Sequence, residues 1–444
     1  MDVYFTKLLI VVTFFAIFEF VNHYRRRSVG PLFRGIKYGF LVYYYVIPML
    51  IYTIAAFSNE DSTDGMRSYR YIVNILDCEL SDLVLTCMLQ ILFYMLFFVG
   101  YYHKRSGKAM SYINRVPKHD AVVLANRFGN ICLGIGATCT LIYMLAYGSI
   151  TEALKLSSSV RSYIDNATDH IGYLQSLMII PAGIILVAPY CFLYVRNHGK
   201  TIVNVRLAAS VIVSVLFLLV KAGRAPLIIF LISLVIPFLG KFVKHPWIVI
   251  LIGGIILLPL LDWMEGMFIG QFGHNLKYNY NVFSYISQFS YPFSTSLKIF
   301  DIILQFGLRY GVDFATSIIG LIPGFNFDTS WMITSEYYAG PRWKIYGSVP
   351  MDLYSFSIIQ FHVLGVVIGF VIGIVSRLVD GAFRALDDDS FSMKSIESVI
   401  LLDTAWRVST ADFHSIIRSI FLVAICLVIV LITRRNKSME TERA

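Results

Sequence analysis

Three short polar stretches sit where apolar runs meet, and each carries groups able to do chemistry. Lys221-Ala222-Gly223-Arg224-Ala225-Pro226 joins two apolar runs. An arginine at such a junction holds a phosphate through bidentate hydrogen bonds and a permanent charge. Pro226 suits the first turn of a helix, whose free N–H groups near Arg224 would also favour an anion. Trp406-Arg407-Val408-Ser409-Thr410-Ala411-Asp412-Phe413 offers a second arginine. Two arginines from separate helices suit a diphosphate better than one, and Lys221 adds a further cation. Gly347-Ser348-Val349-Pro350-Met351-Asp352-Leu353-Tyr354 opens a third apolar run. A carboxylate just inside a span is functional by default, and Asp352 is placed to take a proton from an attacking hydroxyl. The plainer roles are a snorkelling Arg224, an Arg407–Asp412 ion pair and an Asp352 that serves a helix's first turn.

A second set lies in the stretch 264–350. Trp331, Tyr338 and Trp343, with Tyr354 just beyond, interleave aromatic faces with short polar groups. That mixture suits sugar rings, which present apolar CH faces and hydroxyl edges. The alternative is an interfacial aromatic belt. Glu336 and His274 stand in the same stretch as further candidates for acid or base. No HExxH, paired-acid metal site, Walker loop or GxSxG stands in a suitable context, so neither metal nor cofactor is expected. Of the six cysteines, five fall in or beside apolar runs and Cys78 is alone in a polar loop, so no disulfide framework follows.

The elements that must position these groups are set by composition. The chain has 444 residues, 57% hydrophobic and 15% charged, where a soluble domain has about 25% charged. Its mean hydropathy is +0.68. This excludes a cytosolic enzyme, a disordered chain and a disulfide-stapled secreted domain. Apolar runs of about 20 residues recur to the end, the mark of an all-α polytopic membrane protein. They fall at about 4–22, 36–57, 82–102, 122–147, 172–195, 202–220, 225–240, 246–263, 351–377 and 413–433. The net charge of +9 comes from Lys and Arg clusters between alternate runs, as the positive-inside rule gives for cytoplasmic loops, and not from a nucleic-acid surface. The alternation places the N-terminus outside and the C-terminus inside. It also requires a further outward crossing at about 395–407, which brings the count to about eleven. That segment carries Glu397 and Asp403, so it should be buried against other helices or line a polar cavity, the alternative being an interfacial helix. The whole chain, 1–444, reads as one integral domain, with 264–350 a large outer loop. The apolar segments of that loop, 294–310 and 313–322, read as amphipathic or re-entrant helices on the membrane surface. Gly365, Gly369 and Gly373 recur every four residues on one helix face, which favours close helix packing.

The combination resembles the bacterial O-antigen polymerase (Wzy) family, the oligosaccharide repeat-unit polymerases. Gly223-Arg224-Ala225-Pro226-Leu227-Ile228 is similar to the family's basic junction. Ser348 to Gly373 resembles its small-residue, Pro and Tyr opening of a glycine-spaced span. Arg407 to Phe413 resembles its late Arg-Gly-Asp-Phe-like turn. His362 and the wider turn Val408 to Ala411 depart from the pattern. The resemblance implies a metal-independent glycosyltransferase of the GT-C type at the periplasmic face of the bacterial inner membrane. It implies undecaprenyl diphosphate-linked glycans as substrates, with a chain-length regulator and a flippase as partners. Arg224 and Arg407 would hold the leaving diphosphate. Asp352, Glu336 and His274, in that order, would be candidates for the base. An O-antigen ligase shares the architecture and donor. A flippase or other transporter should show charge midway along several spans, whereas the charges here read as lying at span ends.

Overall fold

The computed structural model describes residues 2–23, 29–57, 70–103, 121–146, 201–221, 282–320, 330–339 and 351–384, with single positions at 187–194, Phe230, Leu234 and 404–417. Every element among them is helical. By length and composition four helical runs are apolar enough to cross a membrane: Val3–His23, Pro31–Phe57, Leu80–Tyr102 and Leu353–Gly381, the last of them interrupted at His362–Val367. The multi-span, all-helical reading holds for these. The span read at 246–263, and most of those at 172–195, 225–240, 395–407 and 413–433, lie outside the described residues.

The first helix, α1 (Asp2–His23), shows an apolar face outward and turns Lys7 inward, where Nζ donates to the Leu76 carbonyl at 2.6 Å. The next rod is α2 (Pro31–Leu41), a π turn (Val42–Val46) and α3 (Ile47–Phe57). Pro31 opens α2, where a missing N–H costs nothing. The free N–H groups of Leu32 and Phe33 donate to Asp380, at 2.9 and 3.3 Å. Tyr101 also donates to Asp380, at 2.9 Å, and accepts from the Gly30 N–H. One buried carboxylate thus ties three helices at that end.

After α4 (Arg70–Leu76) comes α5 (Leu80–Tyr102). It runs alongside α12 (Ile368–Arg384), the last long described helix. Glycines set the separation, because without side chains the two backbones touch. Gly369 abuts the Phe93 carbonyl, Gly373 the Phe97 carbonyl, and Gly100 the Phe370 carbonyl. Of the three glycines read as one helix face, Gly369 and Gly373 have this packing role, and Gly365 stands in the turn before α12. A separate pair, α6 (Ala121–Ala146) and α7 (Thr201–Lys221), is joined by Arg206 donating to Asn126 at 2.7 Å.

The remaining described helices are α8 (Val282–Phe306), α9 (Val312–Ile319), α10 (Ser330–Ala339) and α11 (Leu353–Phe361), followed by a 3-10 turn (His362–Val367). Two differ from the sequence reading. The helix read at 294–310 begins at Val282 and is a core element: Phe293, Leu297, Ile299 and Ile302 are buried. Its polar face hides in the bundle because neighbouring hydroxyls satisfy it, so low hydropathy does not mean surface. The run read as one span at 351–377 is broken. Phe361 leaves helical geometry and His362 has φ 55. A Cβ on Gly365 would stand 2.1 Å from the Ser357 carbonyl oxygen. Helix α11 is therefore a half-helix folded back on the 3-10 turn before α12 sets off. Its tip is tied to the α8–α9 connection, where Arg309 N–H donates to Ile359 O and Gly311 N–H to Gln360 Oε1.

Candidate functional site

The fold-back puts Asp352 in the interior. It caps α11, its Oδ2 accepting the Ser355 N–H at 3.0 Å, as a helix start requires. The same oxygen accepts the Tyr44 hydroxyl at 2.5 Å. Among the described residues Oδ1 has no hydrogen-bond partner, and the residue is 0% exposed. Tyr44 is the middle residue of the 27-residue helix Pro31–Phe57. Asp352 is thus level with the centre of an apolar span, and not at its outer end as the sequence reading placed it. The reversal at His362 lets the chain start this helix inside the bundle. No lysine, arginine or histidine among the described residues pairs with it.

Around the carboxylate the π turn presents Tyr43, Tyr44 and Tyr45, all buried. A π turn widens the helix locally and is frequent at functional positions. The ring of Tyr354 packs edge-on against Tyr44 at 6.1 Å and Phe93 at 5.6 Å. A seam of hydroxyls continues along α8. Ser296 meets Ser355 at 3.2 Å, and Ser294 meets Tyr338 at 3.1 Å and Asn74 at 3.4 Å. Tyr291 donates to the Thr410 carbonyl at 2.6 Å. Burial pushes the Tyr338 phenol up to about 12, so it acts as a neutral hydroxyl. The seam combines aromatic faces, hydroxyls and one carboxyl within apolar helices.

Of the residues singled out in the sequence, Asp352 and Tyr354 share this site and Tyr338 stands at the far end of the seam. Glu336 is exposed on α10, apart from the buried Ser335 and Tyr338. Trp331 is on α10 and Lys221 ends α7, and their side chains lie outside the description. Arg224, His274 and Trp343 lie outside the described residues. Arg407 is half-buried on a helical stretch whose Ser409 abuts Gly39 of α2. Gly39 is nearer the Pro31 end of its rod than the Phe57 end. Ala405, Ser409 and Thr410 are buried; most of the segment read at 395–407 lies outside the described residues. The site residues that the sequence reading missed are Tyr44, Ser294, Ser296 and Ser355. The signal for them was the tyrosine triplet inside an apolar run and the Ser290/Ser294 spacing of one helix face.

Among the described residues no group of three or more His, Cys, Asp or Glu is placed to hold a metal ion. Compared with protein-family models, curated proteins and solved structures, the chain matches none.

Proposed function

We propose that the protein is a membrane-embedded glycosyltransferase that joins undecaprenyl diphosphate-linked repeat units into a surface polysaccharide. The observation that carries this reading is the buried seam of hydroxyls, aromatic rings and one carboxyl centred on Asp352. Sugar hydroxyls pair with serine and tyrosine hydroxyls, and sugar CH faces stack on tyrosine rings. The lipid tail keeps the reaction in the bilayer. In the transfer, an acceptor hydroxyl oxygen bonds to the anomeric carbon of the donor chain, and the bond from that carbon to the lipid diphosphate breaks. The free oxygen of Asp352 takes the hydroxyl proton. Arg224 and Arg407, with Lys221 beside Arg224, stabilise the departing diphosphate. Tyr338, Tyr354, Trp331 and Trp343 line the glycan path, with Glu336 and His274 as secondary acid–base groups. The wider architecture is of the GT-C type with about eleven spans, a periplasmic N-terminus and a cytoplasmic C-terminus. The partners are a chain-length regulator and a flippase.

A gel of surface polysaccharide with and without the gene tests it. Deletion should collapse the ladder to core plus one repeat unit. An unchanged ladder refutes the reading, and polymer stranded on its lipid points to a ligase.

A second reading, a flippase for the same lipid-linked glycan, is favoured by one specific pair of observations. Asp352 lies at the middle of an apolar span, and α11 is a discontinuous half-helix; both are features of transport sites. The leaflet in which lipid-linked repeat units accumulate after deletion separates the two. Outer-leaflet accumulation favours the polymerase, and inner-leaflet accumulation the flippase.

A further inference from the structure

Asp352 is fully buried, with two donors on Oδ2 and none on Oδ1. Among the described residues the titratable groups around it are ones that never carry positive charge. They are Tyr43 and Tyr44 on the π turn, Tyr291 on α8, Tyr354 on its own helix and Cys87 on α5. The charged groups of the surrounding elements are engaged elsewhere. Lys298 pairs with Asp301 and Arg309 with Asp313. His362, at the far end of α11, meets the Phe300 ring, and Arg407 has contacts of its own. A buried carboxylate without a cation neutralises rather than remain charged. The ligand that needs only one free oxygen is a proton, and Oδ1 is that oxygen.

Further unpaired polar atoms stand nearby. Among the described residues the Tyr354 hydroxyl has no hydrogen-bond partner, and neither does either amide atom of Gln90, which is 0% exposed. Gln90 is one turn before Phe93, whose ring packs on Tyr354, so it lies on the same face of α5. Orphan polar atoms of this kind are met by internal water. Helix α11 is a separate short element. It is nine residues long, and its exit is the positive-φ His362.

We propose that Asp352 is a proton-binding site, protonated while α11 is seated against Tyr44 and deprotonated when that half-helix withdraws. On withdrawal the O–H bond at Oδ1 breaks, the proton passes to water beside Tyr354 and Gln90, and the carboxylate is left; reseating reverses each change. The site goes beyond the glycosyltransferase reading and does not depend on it. Where that reading holds, the same exchange resets the base between turnovers.

Infrared spectroscopy of the full-length protein in lipid nanodiscs, with and without carbon-13 aspartate, tests the proposal. At neutral pH a protonated-carboxyl band should shift with the label and vanish in Asp352→Asn. Tyr44→Phe removes one donor to Oδ2 and should move the band without abolishing it, which keeps the test open where Asp352→Asn fails to fold. No label-sensitive band in the wild type, a band that persists in Asp352→Asn, or one unmoved by Tyr44→Phe overturns the proposal. Loss of the band when sodium replaces potassium would also overturn it, by assigning the site to a sodium ion. A normal polysaccharide ladder after gene deletion would sink the polymerase reading and leave this result unaffected.

Discussion

Adding one methyl group at Gly373 should disrupt the bundle more than its size suggests. A Cβ there would stand 2.1 Å from the Phe97 carbonyl oxygen and 2.7 Å from the Tyr101 nitrogen. Both are backbone atoms, so no side-chain rotation relieves the clash. Bringing the first contact to 3.0 Å, the floor for real Cβ contacts, needs 3.0 − 2.1 = 0.9 Å of helix separation. Moving α12 off α5 by that much loosens the neighbouring Gly369 and Gly100 contacts. It also loosens the Arg377 bond to the Tyr101 carbonyl at 2.8 Å. Overpacking of this kind costs about 1–3 kcal/mol, offset by the roughly 0.5–1 kcal/mol gained when alanine replaces a helical glycine. Gly134 on α6 is the control, since nothing lies within 4 Å of its Cβ position. Gly134→Ala should therefore be neutral or slightly stabilising. The assay is thermal unfolding in detergent, followed by tryptophan fluorescence and by size-exclusion recovery after heating. Gly373→Ala should melt well below wild type and Gly134→Ala at or above it. Equal melting of the two variants would refute the argument that backbone contact sets this interface.

Two further outcomes follow from the same physics. Asp380→Ala leaves the Leu32 and Phe33 N–H groups and the Tyr101 hydroxyl without their shared acceptor and should destabilise by about 3 kcal/mol; Asp380→Asn, which keeps one acceptor oxygen, should lose clearly less, and equal losses in the same melting assay would argue against the cap. Burial pushes the Cys78 thiol up, and its Sγ is held by the Ile75 carbonyl. In a variant with Cys78 as its only cysteine, maleimide should label the denatured protein and spare the folded one at neutral pH, because the thiolate is the reactive form; equal labelling rates would show the site open.

Much of the helical framework was legible because long apolar runs leave little choice. The α1 and α5 runs match their helices closely, and the Gly365/Gly369/Gly373 spacing pointed to close packing before any contact was visible. The errors have physical causes. In α8, serine and tyrosine lower the hydropathy, and only the folded bundle shows Tyr338, Asn74 and Ser355 satisfying them. In α11, Gln360 and His362 are two polar residues between long apolar stretches, so the run reads as one span, while the reversal shows only in the packing of Gly365 on Ser357. Asp352 stood out as a lone acid at the mouth of a span. Its depth did not, because depth depends on that reversal. Tyr44 was hidden among 28 tyrosines, where nothing local distinguishes a hydrogen-bond donor from an aromatic filler.

The most direct test of the central claim is the polysaccharide ladder of a deletion strain complemented with Asp352→Asn at wild-type membrane levels. The account expects wild type to restore the ladder and Asp352→Asn to leave core plus a single repeat unit. A full ladder from Asp352→Asn would contradict it.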